Sequence, residues 1–200
     1  MKFDIKRLTP DLSDDYFDFF DQRAFTDNSP MQPCYCCYFN QTKAEEKSEV
    51  FDKADQYGGG GAGLKFALRA HAEHLISANI IQGYLAYADG LVVGWCNTNR
   101  KDHYRRMLDP VILEQSSPNT KSVVCFEIAP SYRHKGIASL LLARVVADAK
   151  KEGFAAVEGY AYLRERPETF DFSGPLRLYE KAGFSEIGRK NDLIIMQKKL

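Results

Sequence analysis

The amino-acid sequence predicts an α/β (α+β) domain: a central mixed, mostly antiparallel sheet of about six or seven strands, flanked by helices. Three stretches predict it. Ser122–Ile128 is an apolar run broken only by Glu127, and after Pro130 and a basic turn it feeds a helical pattern through Gly153. A second strand-like run, 155–162, follows, and the right-handed crossover rule lays it parallel beside the first. Asp89-Gly90 between two apolar runs is a strong short-range hairpin signal. A closing pair of strands, 184–187 and 193–197, completes the sheet.

The remaining elements follow in order. Residues 2–8 alternate Phe3 and Ile5 against Asp4 and Lys6, a first strand. Thr9-Pro10-Asp11 opens a helix whose apolar stripe is Leu12, Tyr16, Phe19 and Phe20. Residues 26–42 carry two prolines and a Thr-Asp-Asn-Ser cluster, so they form a loop. Within it, Cys34, Cys36 and Cys37 lack the second Cys pair that a zinc site needs; they read as a buried apolar segment. Lys43–Tyr57 is charged and helical.

Gly58–Gly63 formally satisfies G-x-G-x-x-G. A polar helix precedes it rather than a strand, so it reads as a flexible link. The next helix runs from Leu64 to Ala78 with Leu68, Ala72 and Leu75 on one face. His71 and His74 lie three apart on it, a satisfied or solvated pair. The hairpin spans 80–98. Asn99–Thr120 is a polar connection whose Arg100, Lys101, Arg105 and Arg106 are solvated or present cations to an acidic acceptor. The helix after Gly136 carries Ile137, Leu140, Leu141, Val145 and Ala149 at helical spacing, and Gly153 caps it. Leu163–Gly174 is a loop, and Pro175–Ala182 a short helix capped by Gly183. The final hairpin turns through Gly188–Asp192.

Composition bounds the function. With 200 residues, 44% of them hydrophobic, the chain suits one domain with a sizeable core. Lys plus Arg equals Asp plus Glu at 27 each, which argues against nucleic-acid binding. No run is long enough to span a bilayer, and no apolar leader follows Met1. Five cysteines, an odd number, then suggest reduced thiols and a cytoplasmic location.

The basic turn holds the chemistry. Arg133, His134 and Lys135 stand before Gly136, and a helix starts behind it. Backbone N–H groups at a helix N-terminus, with three cations beside them, suit a phosphorylated ligand. An ordinary strand–turn–helix with solvated charges has the same spelling.

Arg133-x-x-Gly136-x-Ala138 resembles the acetyl-coenzyme-A signature of the GNAT N-acetyltransferase superfamily. The run Leu178-Tyr179-Glu180-Lys181-Ala182-Gly183-Phe184 resembles a block near the end of many of its members. The likeness is clear over about 80–200. The resemblance implies one domain over 1–200: a strand and acceptor-side helices in 1–79, then the hairpin, the acetyl-CoA core and the closing hairpin in 80–200. It implies that strands four and five are parallel and splayed, with the cofactor's arm in the gap, and it offers Cys34, Cys36 and Cys37 a second reading as lining of an acceptor pocket. It further implies acetyl-CoA as cosubstrate, held by Phe126, Ile128, Arg133, His134, Lys135, Gly136, Ile137, Ala138, Ser139 and Ser173, with no metal.

In the same resemblance Tyr179 is the acid that protonates the leaving thiolate; the alternative is a packing aromatic. Its ordinary pKa of about 10, above a thiol's 8.5, suits the role. Glu127 is the base, or else an ion-pair partner. With Val124, Phe126 and Ile128 on one face of the strand, Val123, Cys125 and Glu127 take the other. Many relatives carry an Asn where Phe172, Ser173, Gly174 and Pro175 stand here, so Ser173 would substitute for it. The expected acceptor is a small-molecule or peptide amine, with neither nucleic acid nor membrane as partner and a homodimer as the possible assembly. Two other readings compete: a non-catalytic acyl-CoA-binding or sensing module on the same fold, and a thiol- or metal-dependent protein built on the three cysteines.

Overall fold

The computed structural model describes residues 2–106, 119–163 and 172–200. They build one seven-stranded sheet, ordered β1-β2-β3-β4-β5-β7-β6. The strands are β1 (Asp4–Arg7), β2 (Gly83–Ala88), β3 (Leu91–Arg100), β4 (Thr120–Ile128), β5 (Ala156–Tyr162), β6 (Ser185–Lys190) and β7 (Leu193–Lys199). Every neighbouring pair is antiparallel except β4–β5, which is parallel as the crossover rule requires. Among the described residues no helix is long and apolar enough to cross a membrane.

Two hydrophobic layers cover the sheet. On one face, α1 (Ser13–Gln22) sinks Tyr16, Phe17, Phe19 and Phe20 into a cluster with Trp95. The Tyr16 ring meets Trp95 edge-on at 5.0 Å, a favoured aromatic geometry. Cys36 and Cys37 are buried in this layer, and the Trp95 indole N–H donates to Cys36 Sγ at 3.2 Å. The apolar reading of this segment therefore holds for both residues. Burial pushes the Cys37 thiol well above its usual range. Cys34 is also raised, by its hydrogen bond to Cys36 and then by burial. Neutral thiols are poor nucleophiles and poor metal ligands. Among the described residues no group of His, Cys, Asp or Glu side chains is arranged to hold a metal ion.

The charged stretch after Thr42 is helical in pieces. Thr42 and Glu45 form a capping box over α2 (Lys43–Glu45), which runs into a π-helical Glu46–Phe51 and a 3-10 turn at Ala54–Tyr57. The next helix, α3, spans Gly60–Ser77, four residues earlier than the apolar spacing predicts. Gly60–Gly63 are thus its first turn, and Gly58 and Gly59 cap the two helical segments, so the run is not a flexible link. A Cβ on Gly63 would sit 2.3 Å from the Ala54 carbonyl oxygen, so glycine lets the two segments touch. His71 is buried and its Nε2 has no partner among the described residues, whereas His74 is exposed. Only His74 fits the expected solvated pair.

On the other face lies α4 (Ile137–Lys151), burying Ile137, Leu141, Val145 and Ala149 as its spacing predicts. Leu142 joins them, but Leu140 is 44% exposed. Three residues on from Ile137 lies the flank of the stripe, and there Leu140 meets solvent. The Asp89-Gly90 turn has φ of 50° and 83°, the double positive φ of a type I′ hairpin. The closing hairpin is tighter than expected: it turns at Asn191-Asp192, and Gly188–Lys190 belong to β6.

Candidate active site

β4 is bulged. Asn97 pairs with Cys125 and Thr98 with Val123, so Val124 faces no partner in the ladder. Alternation breaks there. Val124 and Cys125 both enter the α1 side, and Val123 and Phe126 both enter the α4 side. This corrects the simple alternation that put Val123 with Glu127 and Val124 with Phe126: one extra residue shifts the facing of everything upstream.

The parallel ladder between β4 and β5 ends early. It covers Thr120↔Ala156 to Val123↔Gly159 and then stops, although β4 continues to Ile128 and β5 to Tyr162. Tyr179, on α5 (Leu176–Lys181), packs over the last residue of β5 paired to β4. Its ring lies against Gly159, where an added Cβ would come within 2.0 Å of it. Beyond that pair the two strands splay, as the resemblance implies.

A cavity of 620 Å³ opens at the splay. One wall is Phe126, Glu127 and Ile128 of β4; the floor is the turn into α4; the far wall is the start of α5. Gly136, with φ of 80°, delivers the chain into α4, and only glycine holds that conformation cheaply. The amides of Ile137, Ala138 and Ser139 belong to the first helical turn and have no intrahelical carbonyl to bond. They form a donor cradle at the positive end of the helix dipole. An added Cβ on Gly136 would meet nothing within 4 Å, so a ligand has free approach there. This donor set fits a pyrophosphate.

Nine predicted residues line this cavity: Phe126, Glu127 and Ile128, then Arg133, His134 and Gly136, then Ile137, Ala138 and Ser139. Three do not. Lys135 lays its ammonium over the Tyr132 ring at 4.7 Å. Ser173 is buried, and its hydroxyl has no partner among the described residues. Tyr179 is fully buried, with its hydroxyl donating to the Ser173 carbonyl at 2.6 Å. The Phe126 amide is likewise engaged, donating to the Phe172 carbonyl at 2.5 Å. The rest of the expected loop, 164–171, lies outside the described residues, as do 107–118 of the polar connection.

Arg133 departs furthest from expectation. Its guanidinium turns away from the cradle: Nη1 donates to Asp27 Oδ2 at 2.6 Å, Nε donates to the Ile128 carbonyl at 3.2 Å, and Nη2 lies 3.7 Å from Glu127 Oε1. Burial pushes the Glu127 carboxyl up to about 8; the Arg133 charge draws it down and the Asp27 charge pushes it back up. Asp27 escapes the sequence because its loop lies 106 residues from Arg133 and carries only a turn signal.

The cations of the polar connection are engaged too. Lys101 is buried and pairs with Glu158 at 2.6 Å, while Arg105 and Arg106 pair with Glu45 and Glu46. Lys101 is therefore neither a solvated charge nor one offered to an acceptor. A second cavity of 490 Å³, beside α3, contains His71, Glu49 and Arg105 and lies apart from this site.

The family model described as an acetyltransferase (GNAT) domain matches residues 80–186, a span that contains the splay, the cradle and α5. The chain belongs to the GNAT acetyltransferase family. The fold agrees with solved GNAT structures at low identity. The N-acetyltransferase PaiA of Thermoplasma acidophilum, solved with coenzyme A, is 17% identical, with both chains fully covered and a TM-score of 0.52. A GNAT-family protein of Desulfovibrio desulfuricans is 15% identical over 99% of each chain, with a TM-score of 0.54. The GNAT domain of S. lividans PAT is 12% identical over 98% of this chain and 89% of that one, at 0.57. No curated protein matches the sequence.

Proposed function

We propose that this GNAT protein moves an acetyl group from acetyl-CoA to a primary amine of a small molecule or peptide, by direct transfer with both substrates bound. One observation carries the reading: a half-buried carboxyl raised to about 8 and a cradle of first-turn helix amides line the same cavity. The relative solved with coenzyme A supports the choice of ligand.

The amides of Ile137, Ala138 and Ser139 would hold the phosphates, with Gly136 giving close approach and the His134 and Lys135 side chains nearby. Phe126 and Ile128, at the open edge of β4, would offer backbone groups to the cofactor's arm. Acetyl-CoA supplies an activated thioester. Glu127 would take a proton from the acceptor's ammonium at its carboxylate, which is the charged form above about pH 8. Tyr179 would donate its hydroxyl proton to the departing sulfur. That role requires the Ser173 carbonyl to leave the hydroxyl, and the same displacement of 172–173 would free the Phe126 amide.

A second reading, an acyl-CoA-binding module without turnover, has one observation in its favour: Tyr179 lies off the cavity wall with its hydroxyl already engaged. Two measurements separate the readings. Both predict that acetyl-CoA raises the melting temperature, with about 2.7 kcal/mol of stabilisation at one hundred times Kd. Only the enzyme releases free thiol from acetyl-CoA against a panel of amines, and Tyr179→Phe then lowers kcat. Unchanged turnover in that variant removes Tyr179 from the mechanism.

A further inference from the structure

Glu127 has a cation within reach that does not close on it. An unconstrained guanidinium and carboxylate form a paired contact at about 2.7–2.9 Å. Here the Arg133–Glu127 separation is 3.7 Å. Two other bonds account for the gap. Arg133 Nε is fixed to the Ile128 carbonyl at the end of β4, and Nη1 is fixed to Asp27 at 2.6 Å. Among the described residues, Asp27 thus competes for the guanidinium placed to neutralise Glu127. Its other oxygen, Oδ1, is buried and has no hydrogen-bond partner among the described residues.

The charged and titratable groups facing Glu127 come from every element around it. Arg133 is on the turn after β4, Asp27 and the Cys34 thiol are on the loop between α1 and α2, and the Cys125 thiol is on β4 itself. Across the sheet its register partner on β3 is Trp95, which has no charge to contribute. Arg133 and Asp27 therefore set the electrostatics of the position between them.

We propose that Asp27 is a positioning residue: by holding Arg133 it keeps the guanidinium from closing on Glu127, and so leaves that carboxylate able to exchange a proton with an acceptor amine. The inference takes Glu127's role from the function proposed above, but the arrangement itself can be measured in the free protein. Its failure is then distinct from a failure of acetyl transfer.

The test is a carbon-13 titration of glutamate carboxyls in protein without cofactor or acceptor. Glu127→Gln identifies the Glu127 resonance by its loss. Asp27→Asn removes the competing charge and frees Arg133, so the Glu127 midpoint falls by about one pH unit or more, a tenfold change in proton affinity. Asp27→Glu keeps the competing carboxylate and restores a midpoint near that of the unaltered protein. Arg133→Gln leaves Asp27's repulsion unopposed, so the midpoint rises; this variant also serves if Asp27→Asn does not fold. A midpoint that stays put or rises in Asp27→Asn, or stays put or falls in Arg133→Gln, overturns the proposal.

Discussion

Glu158, buried, and Glu127, half-buried, are carboxylates on neighbouring parallel strands, on opposite sides of the point where the ladder ends. Glu158 lies in the paired half, fully buried. Lys101 donates to it at 2.6 Å and Gln197 at 2.9 Å. Burial draws the Lys101 ammonium below its usual range, and Glu158 pulls it back up. Glu127 lies in the open half, and among the described residues its cation is Arg133, at 3.7 Å and shared with Asp27. Both residues cost desolvation. The first is matched by a close partner and is committed to the fold; the second is left under-paired at a cavity and stays able to change protonation state.

The largest expected effect probes the committed pair. Lys101→Met strands Glu158 in the core and costs about 3–5 kcal/mol in urea unfolding. The double variant Lys101→Met, Glu158→Gln recovers much of that loss. Equal costs for the single and double variants would erase the distinction between the two carboxylates.

The under-paired carboxylate has the opposite signature. A carboxyl raised above its unfolded value stabilises the fold while protonated, and that contribution is lost as pH rises through about 8. Glu127→Gln should match the unaltered protein in thermal melts near pH 4 and exceed it above pH 8, by on the order of 3 kcal/mol. A constant difference across that range contradicts a raised carboxyl.

Between the two residues lies the splay itself. Gly159→Ala drives a methyl into the Tyr179 ring and should cost about 1–3 kcal/mol, with a loss of turnover in any amine that is acetylated. Wild-type turnover in this variant would show that the seat of Tyr179 on Gly159 is not needed. The smallest effect belongs to Leu140, which faces solvent. Leu140→Lys should change stability by no more than about 0.5 kcal/mol.

Local signals were legible where chemistry is local. The Asp89-Gly90 turn, the Gly136 entry into α4 and the parallel crossover each follow from a few adjacent residues. So does the choice of Glu127 as the carboxylate of the central strand. What was illegible depends on distance or on one inserted residue. The bulge at Val124 leaves no mark in an apolar run, yet it reverses which residues share a face. Lys101 looked like one more charge in a polar connection, because its partner Glu158 lies 57 residues away. Arg133 sits in the expected signature, but its side chain answers to Asp27, a residue that reads only as part of a turn. The glycine run looked flexible because glycine usually is; contact with Ala54 decides otherwise.

The most direct test of the account is the pH dependence of kcat/KM for acetyl transfer from acetyl-CoA to a good amine acceptor. The account predicts a tenfold rise per pH unit below about 8, a levelling above it, and loss of that limb in Glu127→Gln. The same limb persisting in Glu127→Gln, or a flat profile in the unaltered protein, would contradict it.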